Sequence, residues 1–256
     1  MVKLILISLF FSFSLLPKDS FIDVITTNDL HGFLGEQDAY FMNPNFPPKI
    51  VGAAALYKYV KDIEKNMPNK SDDILIFDGG NFFQGHPIGL VDSGKTVIEW
   101  MNKVGYDAIV PGNNDFLFGP QNLLKLSETA NFPFLACNIK YQETDELLFD
   151  PYKIINIKGS KVGILGLANS EINETVLNKN LKGIKIEDSL ESMNFWVSKL
   201  VDKVDILILL TSSGVPWDRD EVYEKFVNSM EKNLSVDKSL NAIEIGYFAD
   251  DIDIII

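Results

Sequence analysis

Four short polar segments carry most of the residues able to do chemistry: Thr27-Asn28-Asp29-Leu30-His31-Gly32, Asp78-Gly79-Gly80-Asn81, Pro111-Gly112-Asn113-Asn114-Asp115 and Thr211-Ser212-Ser213-Gly214. Each directly follows an apolar run. Their oxygens and nitrogens could hold a ligand, although the same residue types also make good turns. One such loop is commonplace; several at successive strand ends, meeting on one sheet edge, form a candidate site. The remaining inventory narrows its chemistry. His31 and His86 are the only histidines, so a metal site has at most two imidazoles. Cys137 is the only cysteine, which excludes an internal disulfide and any Cys-based zinc or iron–sulfur site. There is no G-x-S-x-G elbow, and neither histidine has an evident Ser–Asp partner, so a serine hydrolase is disfavoured.

The elements that must position these loops read as an alternation. Phe21 to Thr27, Asp73 to Phe77, Ala108 to Val110, Phe134 to Ala136, Lys161 to Leu167, Ile206 to Leu210 and Ile252 to Ile256 are apolar runs of strand length, with an edge strand at Tyr152 to Ile157. Helical periods cover Gly52 to Asn66, Thr96 to Val104, Pro120 to Ala130, Ser189 to Lys203 and Asp218 to Lys232, with Pro120 at a first turn. Strands alternating with helices predict an α/β fold with parallel pairings and helices on the sheet faces. Ligands in such sheets bind outside the carboxyl ends of the strands, where the four loops fall.

Composition sets further bounds. The 256 residues are 46% hydrophobic with a formal charge of −13, and Arg219 is the only arginine. An acidic chain almost without guanidinium forks excludes nucleic acid as a partner, because phosphate-backbone affinity comes from clustered Lys and Arg. The run from Leu4 to Leu16, after Lys3, is too short for a bilayer span of about 20 residues. It has signal-peptide proportions, closed by Pro17, Lys18, Asp19 and Ser20. The expectation is a signal peptide over residues 1–20 and an exported protein, periplasmic or extracellular, with no stable membrane span.

Val24-Ile25-Thr26-Thr27-Asn28-Asp29-Leu30-His31-Gly32 resembles the opening motif of the calcineurin-like metallophosphoesterases, in particular the bacterial secreted 5'-nucleotidases. Gly52-Ala53-Ala54-Ala55 is similar to the family's first helix start. Leu75 to Pro87 resembles its D-x-G-D-x-x-Q-G-T-P stretch, and Gly112-Asn113-Asn114-Asp115-Phe116 its G-N-H-E-F-D block. Asn131 to Ile139 and Val204 to Gly214 also align, so the likeness covers Phe21 to Ile256. It implies a four-layer αββα sandwich of two mixed sheets over residues 21–256, and a substrate that is a small phosphorylated molecule such as a nucleotide. In the usual member two divalent metals sit about 3.5–4 Å apart, clamp the phosphate and activate a water, while a His–Asp dyad assists.

Carried over position by position, the resemblance makes Asp29 and His31 the first ligand pair and Asn113 a ligand of the second metal. Asn81 stands where the bridging aspartate would be. Asn114 stands at the dyad histidine, Leu117 at its aspartate and Ser212 at the first late histidine. At an effective dielectric of about 20, two dications ~3.5 Å apart repel by on the order of 20 kcal/mol, which a bridging carboxylate offsets and a neutral amide does not. The expectation is at most one divalent ion, at Asp29, His31 and Asn81, or none. Oxygen-rich coordination favours magnesium, manganese or calcium over zinc.

Asn114 and Asp115 are the candidate catalytic positions, with a capping or supporting role open for Asp115. His86 and Ser212 are candidate substrate contacts; a hydrogen-bonded loop histidine and a serine-rich turn are the plain alternatives. Asp253 to Ile256 has the character of a buried strand, which predicts a fragment truncated at its C-terminal side, lacking the family's G-H-x-H block and nucleotide-specificity domain. Two functions follow: an exported 5'-nucleotidase-like phosphoesterase with an altered site, or an inactive scaffold that binds a small ligand or a partner protein.

Overall fold

The computed structural model describes residues 21–50, 52–66, 73–232 and 240–256; the predicted leader, residues 1–20, lies outside them. Along the first half run β1 (Asp23–Thr27), β2 (Gln37–Asp38), β3 (Lys49–Ile50), α1 (Ala53–Asn66), β4 (Ile74–Asp78), α2 (Pro87–Leu90), α3 (Lys95–Val104), β5 (Ala108–Ile109) and α4 (Pro120–Thr129). The second half holds β6 (Ile139–Tyr141), β7 (Tyr152–Ile157), β8 (Ser160–Leu167), α5 (Ile172–Thr175), β9 (Ile184–Ile186), α6 (Ser189–Leu200), β10 (Ile206–Thr211), α7 (Arg219–Glu231), α8 (Ala242–Tyr247) and β11 (Ile254–Ile255).

Two sheets dominate. The first has the order β1-β4-β5 and the second β11-β10-β8-β7, with β7 antiparallel to β8 and the other described ladders of both sheets parallel. Parallel register decides where loops emerge. Thr27 pairs with Asp78, and Asp78 with Ile109, so the first three polar loops leave the first sheet side by side. Leu167 pairs with Thr211, which sets the loops after β8 and β10 together in the second.

Strand alternation sorts the core into layers. Val162 and Ile164 of β8, with Ile208 and Leu210 of β10, join Leu75 and Phe77 of β4 and the buried faces of α3 and α4. Their neighbours Leu165, Leu167, Leu207 and Leu209 face the other way, onto Met193 and Leu200 of α6, Phe226 of α7 and Ile245 of α8. Helices, sheet, sheet and helices therefore stack as the expected four layers. α3 shows why its face is fixed: Val97, Ile98, Met101 and Val104 are buried at helical spacing, each such side chain contributing ~1.5–3 kcal/mol.

Two segments depart from expectation. Phe134 to Ala136 does not form a ladder; it makes single bridges, Ile109 to Phe134 and Leu135 to Asp150. It crosses from the first sheet to the second, so its N–H groups go to different neighbours: Leu135 to Ile109, Ala136 to Asp150 and Cys137 to Gly166. The crossing requires glycine at 166, where a Cβ would collide with the Leu135 backbone. The second departure is β11, expected as a buried strand. It lies at the edge of its sheet beside β10, and Ile254 is 40% exposed. Its ladder pairs Ile254 and Ile255 with β10, main-chain hydrogen bonds flank it at Asp253 and Ile256, and the Asp253 carboxylate accepts the Leu207 N–H at 2.7 Å. Among the described residues no helix is long and apolar enough to cross a membrane.

Candidate functional site

The β1–β4 pairing does not stop at the strand ends. Gly79 N–H donates to Thr27 O at 2.8 Å, Asp29 N–H to Gly80 O at 3.0 Å, His31 N–H to Asn81 O at 2.8 Å and Gly32 N–H to Phe82 O at 2.8 Å. The first two polar loops are thus zipped together. Asp29, His31 and Asn81 all adopt left-handed backbone, with φ of 53°, 49° and 59°. This costs non-glycine residues roughly 1 kcal/mol or more each, and the ladder holds it in place. Gly80, at φ 99°, could be nothing else, because a Cβ there would lie 2.6 Å from Gly112 N.

The three strained residues bring their side chains together. Asn81 Nδ2 donates to Asp29 Oδ1 at 2.8 Å, and His31 Nε2 lies 3.7 Å from the same oxygen. On its other side the imidazole is fixed by Nδ1, 2.8 Å from Gln84 O. A carbonyl can only accept, so Nδ1 donates to it, and Nε2 is the ring nitrogen that faces Asp29. Asn81 Oδ1 in turn accepts the Asn114 backbone N–H at 3.0 Å.

Two buried carboxylates lie under this group. Asp115 is wholly buried; its Oδ2 accepts N–H groups from Asn81 at 2.7 Å and Gly112 at 2.9 Å, and its Oδ1 accepts from Phe82 at 2.9 Å. Burial pushes its carboxyl up to about 7 against the pull of those N–H donors. Both oxygens are committed to backbone, so its placement is that of a brace rather than a catalytic group. Asp78 is likewise buried and pushed up to about 8 by loss of water, while the Thr27 hydroxyl (2.6 Å) and Gly80 N–H (2.9 Å) pull it down. Tyr106 completes the chain through its hydroxyl, 2.8 Å from Thr27 Oγ1.

Asp29, Asn81, Asn113 and Ser212 line one cavity of about 460 Å³, with Asn169, Glu171 and Ser213 on its far wall. Ser212 Oγ accepts the Asn169 N–H at 2.9 Å, tying the β8 and β10 loops. Asp29 also borders a recess of about 470 Å³ walled by Leu30, Phe33, Leu34, Leu56 and Trp100. Asn114, Asp115 and His86 line neither. His86 caps α2, its Nδ1 accepting the Ile88 N–H, and its ring packs edge-on against Phe33 with centroids 5.0 Å apart, the hydrogen-bonded loop histidine of the two readings. Both ends of the Asn81 amide are hydrogen-bonded, its NH₂ to Asp29 and its oxygen to the Asn114 N–H. Sequence reasoning missed Tyr106, Asn169 and Glu171; Thr27 and Asp78 stood in the candidate segments but were given no role of their own.

Residues 22–244 match the family model described as calcineurin-like phosphoesterase. The chain belongs to that family. It is 31% identical over 203 residues to a 5'-nucleotidase of Rattus norvegicus, spanning 77% of this chain and 34% of the relative. A Vibrio cholerae 5'-nucleotidase is 28% identical over 194 residues, spanning 75% and 33%. The chain therefore spans about a third of the length of these calcineurin-like relatives. Among solved structures, the calcineurin-like phosphoesterase YfkN of Bacillus subtilis superposes with TM-score 0.69 at 24% identity, covering 91% of this chain and 70% of that one. A putative 5'-nucleotidase of Staphylococcus aureus gives 0.68 at 21%, covering 91% and 44%; both likenesses concern the fold. The calcineurin-like family in general uses divalent metals. Among the described residues of this chain, no three of His, Cys, Asp and Glu gather as a metal cluster.

Proposed function

We propose that this chain is an exported phosphoesterase of the 5'-nucleotidase kind, acting on small phosphate monoesters such as nucleotides with one divalent cation held by Asp29 and His31. The observation that supports one cation is the imidazole: its Nδ1–H is held by Gln84 O, which leaves Nε2 as the ring nitrogen beside the Asp29 carboxylate. A pair of cations does not suit the donor set, because Asn81 is neutral and Ser212 replaces an imidazole. An ion bound there would neutralise phosphate charge and lower the pKa of a water, and magnesium, manganese or calcium suits its oxygen-rich surroundings.

The chain's own residues do the rest. Asp29 and His31 hold the ion, Asn113 and Ser212 offer hydrogen bonds to the phosphate from the polar cavity, and the apolar recess beside Asp29 receives the organic group. Asn114 has an amide where the resemblance implies an imidazole, so that position delivers no proton to the departing oxygen, and turnover depends more on how well that oxygen leaves unaided. The test is metal content and turnover of p-nitrophenyl phosphate and AMP, with and without EDTA. One equivalent of metal and EDTA-sensitive release of p-nitrophenol support the proposal; two tightly held equivalents refute it.

The alternative, a scaffold that binds a ligand without catalysis, is favoured by one contact. Asp29 already has a hydrogen-bond donor in Asn81 at 2.8 Å. EDTA-insensitive binding of AMP without turnover would select that reading.

A further inference from the structure

We infer that Asn81 is a latch and not a ligand: its carboxamide holds the Asp29 carboxylate in place of a cation, and an ion reaches Asp29 and His31 only by displacing it. The inference rests on the one-cation reading above and predicts how that site is regulated.

The orientation of the amide is chemically forced. Asn114 N–H points at one end of it at 3.0 Å, and Asp29 Oδ1 stands at the other at 2.8 Å. Only oxygen toward the N–H and NH₂ toward the carboxylate makes two hydrogen bonds; the flipped amide would set donor against donor and acceptor against acceptor. The amide is also seated. Its own backbone N–H is anchored to Asp115 Oδ2 at 2.7 Å, and a side chain at Gly112 would collide with Asn81 Oδ1 and Cγ.

A ligand and a latch differ in the sign of what their removal does. If Asn81 contributed an oxygen to the ion, deleting its side chain would weaken binding. If it competes for Asp29, deletion strengthens binding. A hydrogen bond to a charged group is worth enough that its loss as a competitor raises affinity about tenfold.

The experiment is Mn²⁺ titration by calorimetry on the full chain and on Asn81→Gly, with Asn81→Ala beside it. Glycine adopts φ 59° without strain, which keeps the backbone of the loop, and circular dichroism checks the fold of each variant. The side-chain NH₂ resonances of Asn81 give a second readout, expected to move on Mg²⁺ addition as the Asp29 bond breaks. Tighter Mn²⁺ binding by Asn81→Gly, with moving amide resonances in the parent chain, supports the latch. Equal or weaker binding by folded Asn81→Gly overturns the latch and leaves the one-cation reading standing. No binding by either folded chain at millimolar Mn²⁺ overturns both.

Discussion

Replacing Asp115 by alanine removes the acceptor of three buried backbone N–H groups, those of Asn81, Phe82 and Gly112. Each orphaned donor costs ~1–3 kcal/mol, so the sum is ~3–9 kcal/mol, partly offset because a charge is no longer buried. Against a domain stability of ~5–15 kcal/mol, that is a large fraction. Asp115→Asn keeps one acceptor oxygen and turns an NH₂ toward donors, so its loss is smaller but of the same sign. Urea unfolding followed by tryptophan fluorescence measures this, with an unchanged slope showing that the native state is intact. pH supplies a second signature. With the folded carboxyl near 7 and the unfolded one near 3.9, the folded chain binds the extra proton between those values. The contribution of this group is therefore fully present below about pH 4 and lost as pH rises through about 7. Asp115→Asn removes that dependence. A loss below about 1 kcal/mol for the alanine variant, with the pH profile unmoved, would refute the bracing role and reopen a catalytic one.

Asp78→Asn is expected to flatten the stability profile further, between about 4 and 8, since Asp78 is also held protonated by burial; thermal melts at pH 5 and pH 8.5 check it. His31→Ala should abolish divalent-cation binding while leaving the melting temperature within a few degrees, read by calorimetry and a melt. Asn114→His should raise turnover of alkyl phosphates such as AMP by about tenfold or more, and that of p-nitrophenyl phosphate much less, because a good leaving group needs no acid. Gly166→Ala should cost ~1–3 kcal/mol as Leu135 is pushed aside, measured by urea unfolding.

Periodicity locates the long elements because their burial is one-sided. Val97, Ile98, Met101 and Val104 mark α3 by their spacing alone, and the apolar runs of β8 and β10 mark strands covered on both faces. The hairpin of β2 and β3, the β6–β9 pair and the four-residue helices α2 and α5 were not legible, since so few residues show no period. At the site, residue types exposed the candidate loops and the Asp29, His31 pair. The direction of the Asn81 amide was hidden, because it depends on partners 52 and 33 residues away in sequence. The role of His86 was equally hidden: a capping bond to Ile88 two residues on and a phenyl ring at Phe33 decide it, and neither follows from its place after Gly85.

On the proposed reading, in which an amide at position 81 stands where the resemblance implies an acid, the exchange is nearly invisible to packing. Asparagine has the size and shape of aspartate, so the Asn81 N–H still reaches Asp115 and the space above Gly112 is still filled. What changes is charge. An aspartate there would put two carboxylates about 2.8 Å apart above two more that are buried, a cluster that only cations or shared protons could hold. The amide turns the closest of those repulsions into a hydrogen bond, so the loops close without a bridging ion. On the one-cation reading proposed above, folding of the cleft is thereby separated from metal loading, and a cation at Asp29 and His31 is something the site takes up rather than something it requires.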